Sequence, residues 1–152
     1  MTIKKNYLVG AIRFIALLLW IIFVPLYFMI VRALGVNGYE KIPHKFHAGT
    51  CRILGIEIVE SGEMSTARPT LYVSNHISYV DIFVLGSLPA YFIAKSEVAN
   101  WPVFGKLASF QNTLFIERNA GKTGEQLGTL KKHLSSGNSL TLFPEGLSLI
   151  HI

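Results

Sequence analysis

A histidine and an aspartate five positions apart, His76 and Asp81, stand in the stretch Leu71–Leu85, LYVSNHISYVDIFVL, which is otherwise almost entirely apolar or hydroxylic. A carboxylate that holds one imidazole nitrogen fixes the tautomer and stabilises the imidazolium formed when the other nitrogen takes a proton, so such a pair can serve as a general base. On one continuous helix, residues five apart point about 140° away from each other, and a regular helix would not pair them. Ser78 followed three residues later by Asp81, just before an apolar run, offers a way round, because it is a capping-box signature with Asp in place of the usual Glu. Ser78 is then the N-cap, Asp81 lies in the first turn, and His76 stands in the preceding turn, where the chain reversal can swing its ring onto the carboxylate. Neither Ser74 nor Ser78 sits in a G-x-S-x-G elbow, so the proton such a base takes would come from a substrate hydroxyl. Spacing alone leaves a second reading open, in which Asp81 caps a helix and His76 is a polar residue at a strand end.

The elements that must position this pair follow from the hydrophobic pattern. Arg52–Glu60 (RILGIEIVE), Thr70–Ser74 (TLYVS), Tyr91–Ala94 (YFIA), Thr113–Glu117 (TLFIE) and Ser139–Phe143 (SLTLF) are strand-like. Tyr79–Leu88, Trp101–Phe110 with Pro102 in its first turn, and Gly121–Leu134 are helix-like. Alternation of the two predicts an α/β layered domain, whose ligands bind at the carboxyl ends of the strands. His76 after TLYVS, Arg118 at the end of TLFIE and Glu145 after SLTLF all fall there.

Of the 152 residues, 51% are hydrophobic, and Phe14–Val31 runs without a charge. A signal peptide would have a shorter apolar region and a small-residue cleavage site, and a core helix apolar on all sides would need a larger protein around it. Residues 1–34 therefore read as a membrane anchor. Pro25, Trp20 and Tyr27, with Arg13 and Arg32 at the flanks, leave open whether it spans the bilayer or lies in its interface. Residues 35–51 read as a connector and 52–152 as the α/β domain. His44 and His47 could pair on a metal, but no third ligand stands nearby and they read as solvated loop histidines. The lone Cys51 reads as a small buried hydrophobe. Fourteen Lys and Arg against nine Asp and Glu give a net charge of +5. Scattered along the chain and not clustered with aromatics, these basic residues disfavour nucleic acid and suit anionic headgroups or a phosphorylated substrate.

Three ordered blocks in this half resemble the glycerolipid acyltransferase family, typified by bacterial 1-acylglycerol-3-phosphate acyltransferases. NHISYVD (Asn75–Asp81) resembles its H-x-x-x-x-D block, LFIER (Leu114–Arg118) its F-I-x-R block, and FPEG (Phe143–Gly146) its F-P-E-G-T/S block. The intervening AKSEVANWPVFGKLASF is also similar to family members. The resemblance implies a membrane-bound enzyme that moves a fatty acyl group from acyl-CoA or acyl carrier protein to a lysolipid hydroxyl, on the cytoplasmic side and without a metal or other cofactor. The first acceptor implied is 1-acylglycerol-3-phosphate, with a lyso-ornithine lipid or another lysolipid as the alternative. His76 would be the base and Asp81 its orienting partner, while Arg118, Glu145 and Gly146 would hold the acceptor's glycerophosphate. Lys106 is added as a second phosphate contact on the strength of its charge beside Gly105. Phe115, Ile116 and Phe143 read as core. Two positions depart from the family pattern: Asn112 stands where a glycine often opens the second block, and Leu147 where Thr or Ser follows FPEG. A C-terminally truncated domain is expected, since no fourth block follows. A lipid-binding protein without turnover and a metal hydrolase built on His76, Asp81 and Glu145 are the readings from other classes.

Overall fold

The computed structural model describes residues 6–117 and 123–144. It begins with α1, Tyr7–Ala33, whose N-terminus is capped by the Asn6 side chain accepting from the Val9 N–H. Apart from Phe28 and Val31, which are buried, most of its apolar side chains are open, Tyr7, Leu8, Ile12, Phe14, Ile22 and Phe23 among them. Among the described residues it is the one helix long and apolar enough to cross a membrane.

The segment expected to be a connector is largely helical. α2 runs from Ile42 to Leu54 with Pro43 at its start, where a missing N–H is no loss. Its buried Phe46, His47, Thr50 and Cys51 recur at helical spacing. This helix packs antiparallel along α1. Arg13 of α1 donates to the Leu54 carbonyl (3.3 Å), the Trp20 indole N–H donates to the Phe46 carbonyl (3.1 Å), and Phe28 meets Tyr39 just before α2. The predicted strand RILGIEIVE is not formed. Its first three residues complete α2, which stops at Gly55 because φ of +74° there lets the Ile56 N–H return to the Cys51 carbonyl. The β-branched residues beyond it, including Val59 at 83% exposure, lie on no ladder.

Four short strands form one parallel sheet in the order β1-β4-β2-β3, with β1 Leu71–Val73, β2 Tyr91–Lys95, β3 Leu114–Ile116 and β4 Leu140–Leu142. The expected alternation with helices holds: α3 (Val80–Leu85), α4 (Phe104–Phe110) and α5 (Thr123–Ser135) lie between them in the chain. Side-chain alternation divides the sheet into two faces. Ile93, Ile116 and Leu140 pack with Leu130 and Leu134 of α5 on one. On the other, Phe92 meets the His47 ring of α2, so helices cover both faces as an α/β layered domain requires. Cys51 is 2% exposed, a buried small hydrophobe as read. Asn112 has a φ of +56°, a left-handed conformation that asparagine tolerates better than most side chains, which accounts for a glycine being acceptable there.

Candidate active site

β1 and β4 are neighbours, and the Ser74 N–H donates to the Leu142 carbonyl just past the ladder (3.1 Å). The chain segments that follow the two strands therefore leave the sheet side by side. On the β1 side the chain turns into α3, and Asp81 organises that turn. Its Oδ2 accepts the N–H groups of Ile77 and Ser78, both at 2.9 Å. The Val80 N–H in turn donates to Ser78 Oγ at 3.1 Å. These bonds are reciprocal as in a capping box, but α3 starts one residue later than expected, with Tyr79 and not Ser78 at its N-cap, and the serine serves Val80.

The same carboxylate oxygen lies 3.2 Å from His76 Nδ1. The turn thus brings together the two residues that a continuous helix would have kept apart. The Ser78 N–H holds the Asp81 carboxyl below its usual range, desolvation opposes it, and the His76 ring and the Ile77 N–H add to the lowering. An ionised carboxylate can only accept, so Nδ1 carries the hydrogen, and in the neutral ring the lone pair is then on Nε2. Both side chains are 26% exposed, which leaves the pair accessible from solvent. On its inner face the His76 ring stacks on Phe143, centroid to centroid 4.3 Å with 25° between planes. Phe143 stacks in turn on Phe92 at 6.0 Å. The reading of Phe143 as core is right, at 8% exposure, but it misses this contact, which joins residues 67 positions apart.

The other site residues fall differently. Arg118, Glu145 and Gly146 lie outside the described residues. β3, which ends two residues before Arg118, is at the opposite edge of the sheet from β1. Lys106 is exposed on α4, which packs on the 3₁₀ turn Ser96–Asn100 beside β3, the strand that precedes Arg118 in the chain.

His44 and His47 are not solvated loop histidines. Both are on α2. His44 Nδ1 lies 3.1 Å from the Gly86 carbonyl, while His47 is 3% exposed, with Nε2 2.8 Å from Gln111 Oε1. Phe46, Phe83 and Phe92 surround the His47 ring. Burial lowers its pKa to about 4, against the opposing effect of the Gln111 hydrogen bond. Gly86 makes room for it, since a Cβ there would collide with the ring. Among the described residues no group of three or more His, Cys, Asp and Glu is placed to hold a metal ion.

Comparison with known proteins places this geometry. The family model described as Acyltransferase matches residues 34–149, which include α2, the whole sheet and the His76–Asp81 turn. Lyso-ornithine lipid O-acyltransferase of Rhizobium meliloti (strain 1021) is 38% identical over 115 residues, covering 74% of this chain and 39% of the relative. Its counterpart in Brucella abortus (strain 2308) is 42% identical over 113 residues, covering 72% and 42%. The 1-acyl-sn-glycerol-3-phosphate acyltransferase of Neisseria gonorrhoeae is 34% identical over 96 residues, covering 60% and 36%. The chain thus spans about two fifths of the length of these curated relatives. No solved structure matches it significantly. With the family model matched over well over half its length, and with relatives that include the glycerolipid acyltransferases its three blocks resemble, the chain belongs to the acyltransferase family.

Proposed function

We propose that the protein transfers a fatty acyl group from a thioester donor, acyl-CoA or acyl carrier protein, to the free hydroxyl of a lysolipid at the membrane surface. The observation that carries this is the His76 Nδ1 to Asp81 Oδ2 contact, made by a carboxylate that two backbone N–H groups already fix. In the reaction, His76 Nε2 takes the proton of the acceptor hydroxyl as its oxygen attacks the thioester carbonyl. The C–S bond then breaks, and the leaving thiolate recovers the proton from the imidazolium. Asp81 keeps the ring in the required tautomer and offsets its transient charge. Arg118, Glu145 and Gly146 hold the acceptor headgroup by the resemblance of their blocks. Arginine suits that role, because its planar fork binds phosphate or carboxylate oxygens in pairs.

The acceptor is either of two lysolipids. The relatives acting on lyso-ornithine lipid are 38% and 42% identical to this chain, against 34% for the relative acting on 1-acylglycerol-3-phosphate, and this favours the first. Incubating membranes that contain the intact protein with radiolabelled acyl-CoA and each lysolipid tests it. Greater acylation of lyso-ornithine lipid is the expected result, the reverse selects the phosphate-bearing acceptor, and no product from either leaves a lipid-binding protein without turnover.

The protein acts from one face of the bilayer, the cytoplasmic one, where thioester donors are made. α2 carries His44, Lys45 and Arg52 along the flank of α1 and is itself packed on α3. An α1 that crossed the membrane upright would carry those groups into hydrocarbon, at about 2.5–3.5 kcal/mol for each charged side chain at the bilayer centre. Lying in the interface, α1 can bury its open apolar side while α2 stays with the domain.

A further inference from the structure

We infer that Phe143 is a positioning residue for the reaction: its ring fixes the plane of the His76 imidazole and thereby the direction in which Nε2 meets the acceptor hydroxyl. The inference rests on the reading of His76 as the base. The Asp81 contact holds His76 at one atom, Nδ1, and one hydrogen bond leaves the ring free to rock about that point. A second constraint is needed to aim Nε2. The stack on Phe143 supplies it, with centroids 4.3 Å apart and planes 25° from parallel, a separation slightly shorter than is usual for ring pairs.

Phe143 is itself held. It is 8% exposed and stacks on Phe92, also 8% exposed, at 6.0 Å and 15°. Phe143 lies one residue past the end of β4, and β4 pairs with both β1, which leads to His76, and β2, which carries Phe92. The position of the imidazole is therefore referred to the centre of the sheet and not only to the turn that bears it. An aromatic face also suits the cationic ring formed during proton transfer, since the negative face of the quadrupole attracts a cation and a saturated side chain of similar size has none. An aliphatic residue at 143 would fill the space and lose the plane.

The test compares Phe143→Leu with Phe143→Tyr in the intact protein, both checked for unchanged melting temperature in detergent. Phe143→Leu should lower kcat roughly 3- to 10-fold with KM for the lysolipid unchanged, and Phe143→Tyr should restore kcat. Full kcat in a folded Phe143→Leu, or an equal loss in both variants, would overturn the inference. A measurement independent of activity uses histidine-labelled protein. The His76 ring protons should resonate upfield in the unmodified protein and Phe143→Tyr relative to Phe143→Leu, and should show nuclear Overhauser contacts to the Phe143 ring. Should Phe143→Leu not fold, those contacts in the unmodified protein decide, and their absence overturns the inference. Retained turnover in His76→Ala would instead remove the base reading while leaving the spectroscopic result standing, so the two failures are told apart.

Discussion

The turn after β1 and the inner side of α2 each hold a histidine through one ring nitrogen against a side-chain oxygen, yet they give the ring opposite surroundings. His76 faces an ionised carboxylate, is 26% exposed and has one face against Phe143. His47 faces the neutral amide oxygen of Gln111, is 3% exposed and is ringed by Phe46, Phe83 and Phe92. A charge that develops on the first ring is answered by Asp81. A charge on the second would be buried with no countercharge, which is why burial dominates its titration. The difference lies less in residue type than in what completes each ring's surroundings: a partner able to take up charge and an opening to solvent in one case, and neither in the other.

The largest effect that can break this comparison is at the base. His76→Ala should lower kcat of the intact enzyme roughly 10²- to 10⁴-fold with KM for the acceptor little changed, because the lost interaction belongs to the transition state. Asp81→Asn should come close to it, since an amide oxygen can still accept the Ile77 and Ser78 N–H groups but brings no charge to the imidazolium. Near-normal turnover in folded His76→Ala would mean that Asp81 only caps α3.

The second effect is on stability. The folded-state pKa of His47 is about 4 against 6.5 for the free side chain, so the unfolded chain binds a proton before the folded one does as pH falls. The stabilisation is fully present above pH 6.5 and is lost between there and about 4, to the extent of about 3 kcal/mol. Denaturant melts of the unmodified protein and His47→Gln should diverge at pH 7 and converge toward pH 4. A constant difference across that window would show that His47 is not the group responsible.

A smaller change is expected from Gly86→Ala, whose added Cβ meets the His47 ring and the Ile82 carbonyl. Such overpacking costs typically about 1–3 kcal/mol and should show as a lowered denaturation midpoint with kcat unaffected in the folded fraction. Smallest of all, Lys106→Ala on the exposed side of α4 should change neither stability nor acceptor KM by more than about 0.5 kcal/mol, or roughly twofold. A tenfold rise in KM would show Lys106 to be an acceptor contact.

The His76–Asp81 contact was legible because everything that makes it is local: a turn, a hydroxyl and a carboxylate within six residues. The four strands of the sheet were legible for a similar reason, as β-favouring runs bounded by turn residues. What escaped depends on distance along the chain. Pro43 and two histidines read as a connector, whereas contacts with Trp20, Gly86 and Gln111 make the segment a buried helix. RILGIEIVE has the composition of a strand, but a strand also needs a neighbour, and the helix begun at Ile42 had already claimed its first three residues. The Phe143 stack is equally non-local. Patterning identifies Phe143 as core, and only the β1–β4 pairing says which ring it meets.

Arg13, inside the apolar run of α1, donates to the Leu54 carbonyl at the end of α2, so its charge has a partner beside the helix. Twenty-seven residues of helix, about 40 Å, are then available to hold the protein on a membrane. Acting as proposed, a catalyst so held would meet its acceptor by lateral diffusion in two dimensions. Its rate should follow the mole fraction of lysolipid in the surface and not the amount in the tube, so diluting mixed micelles with inert detergent at fixed bulk lysolipid should slow it in proportion.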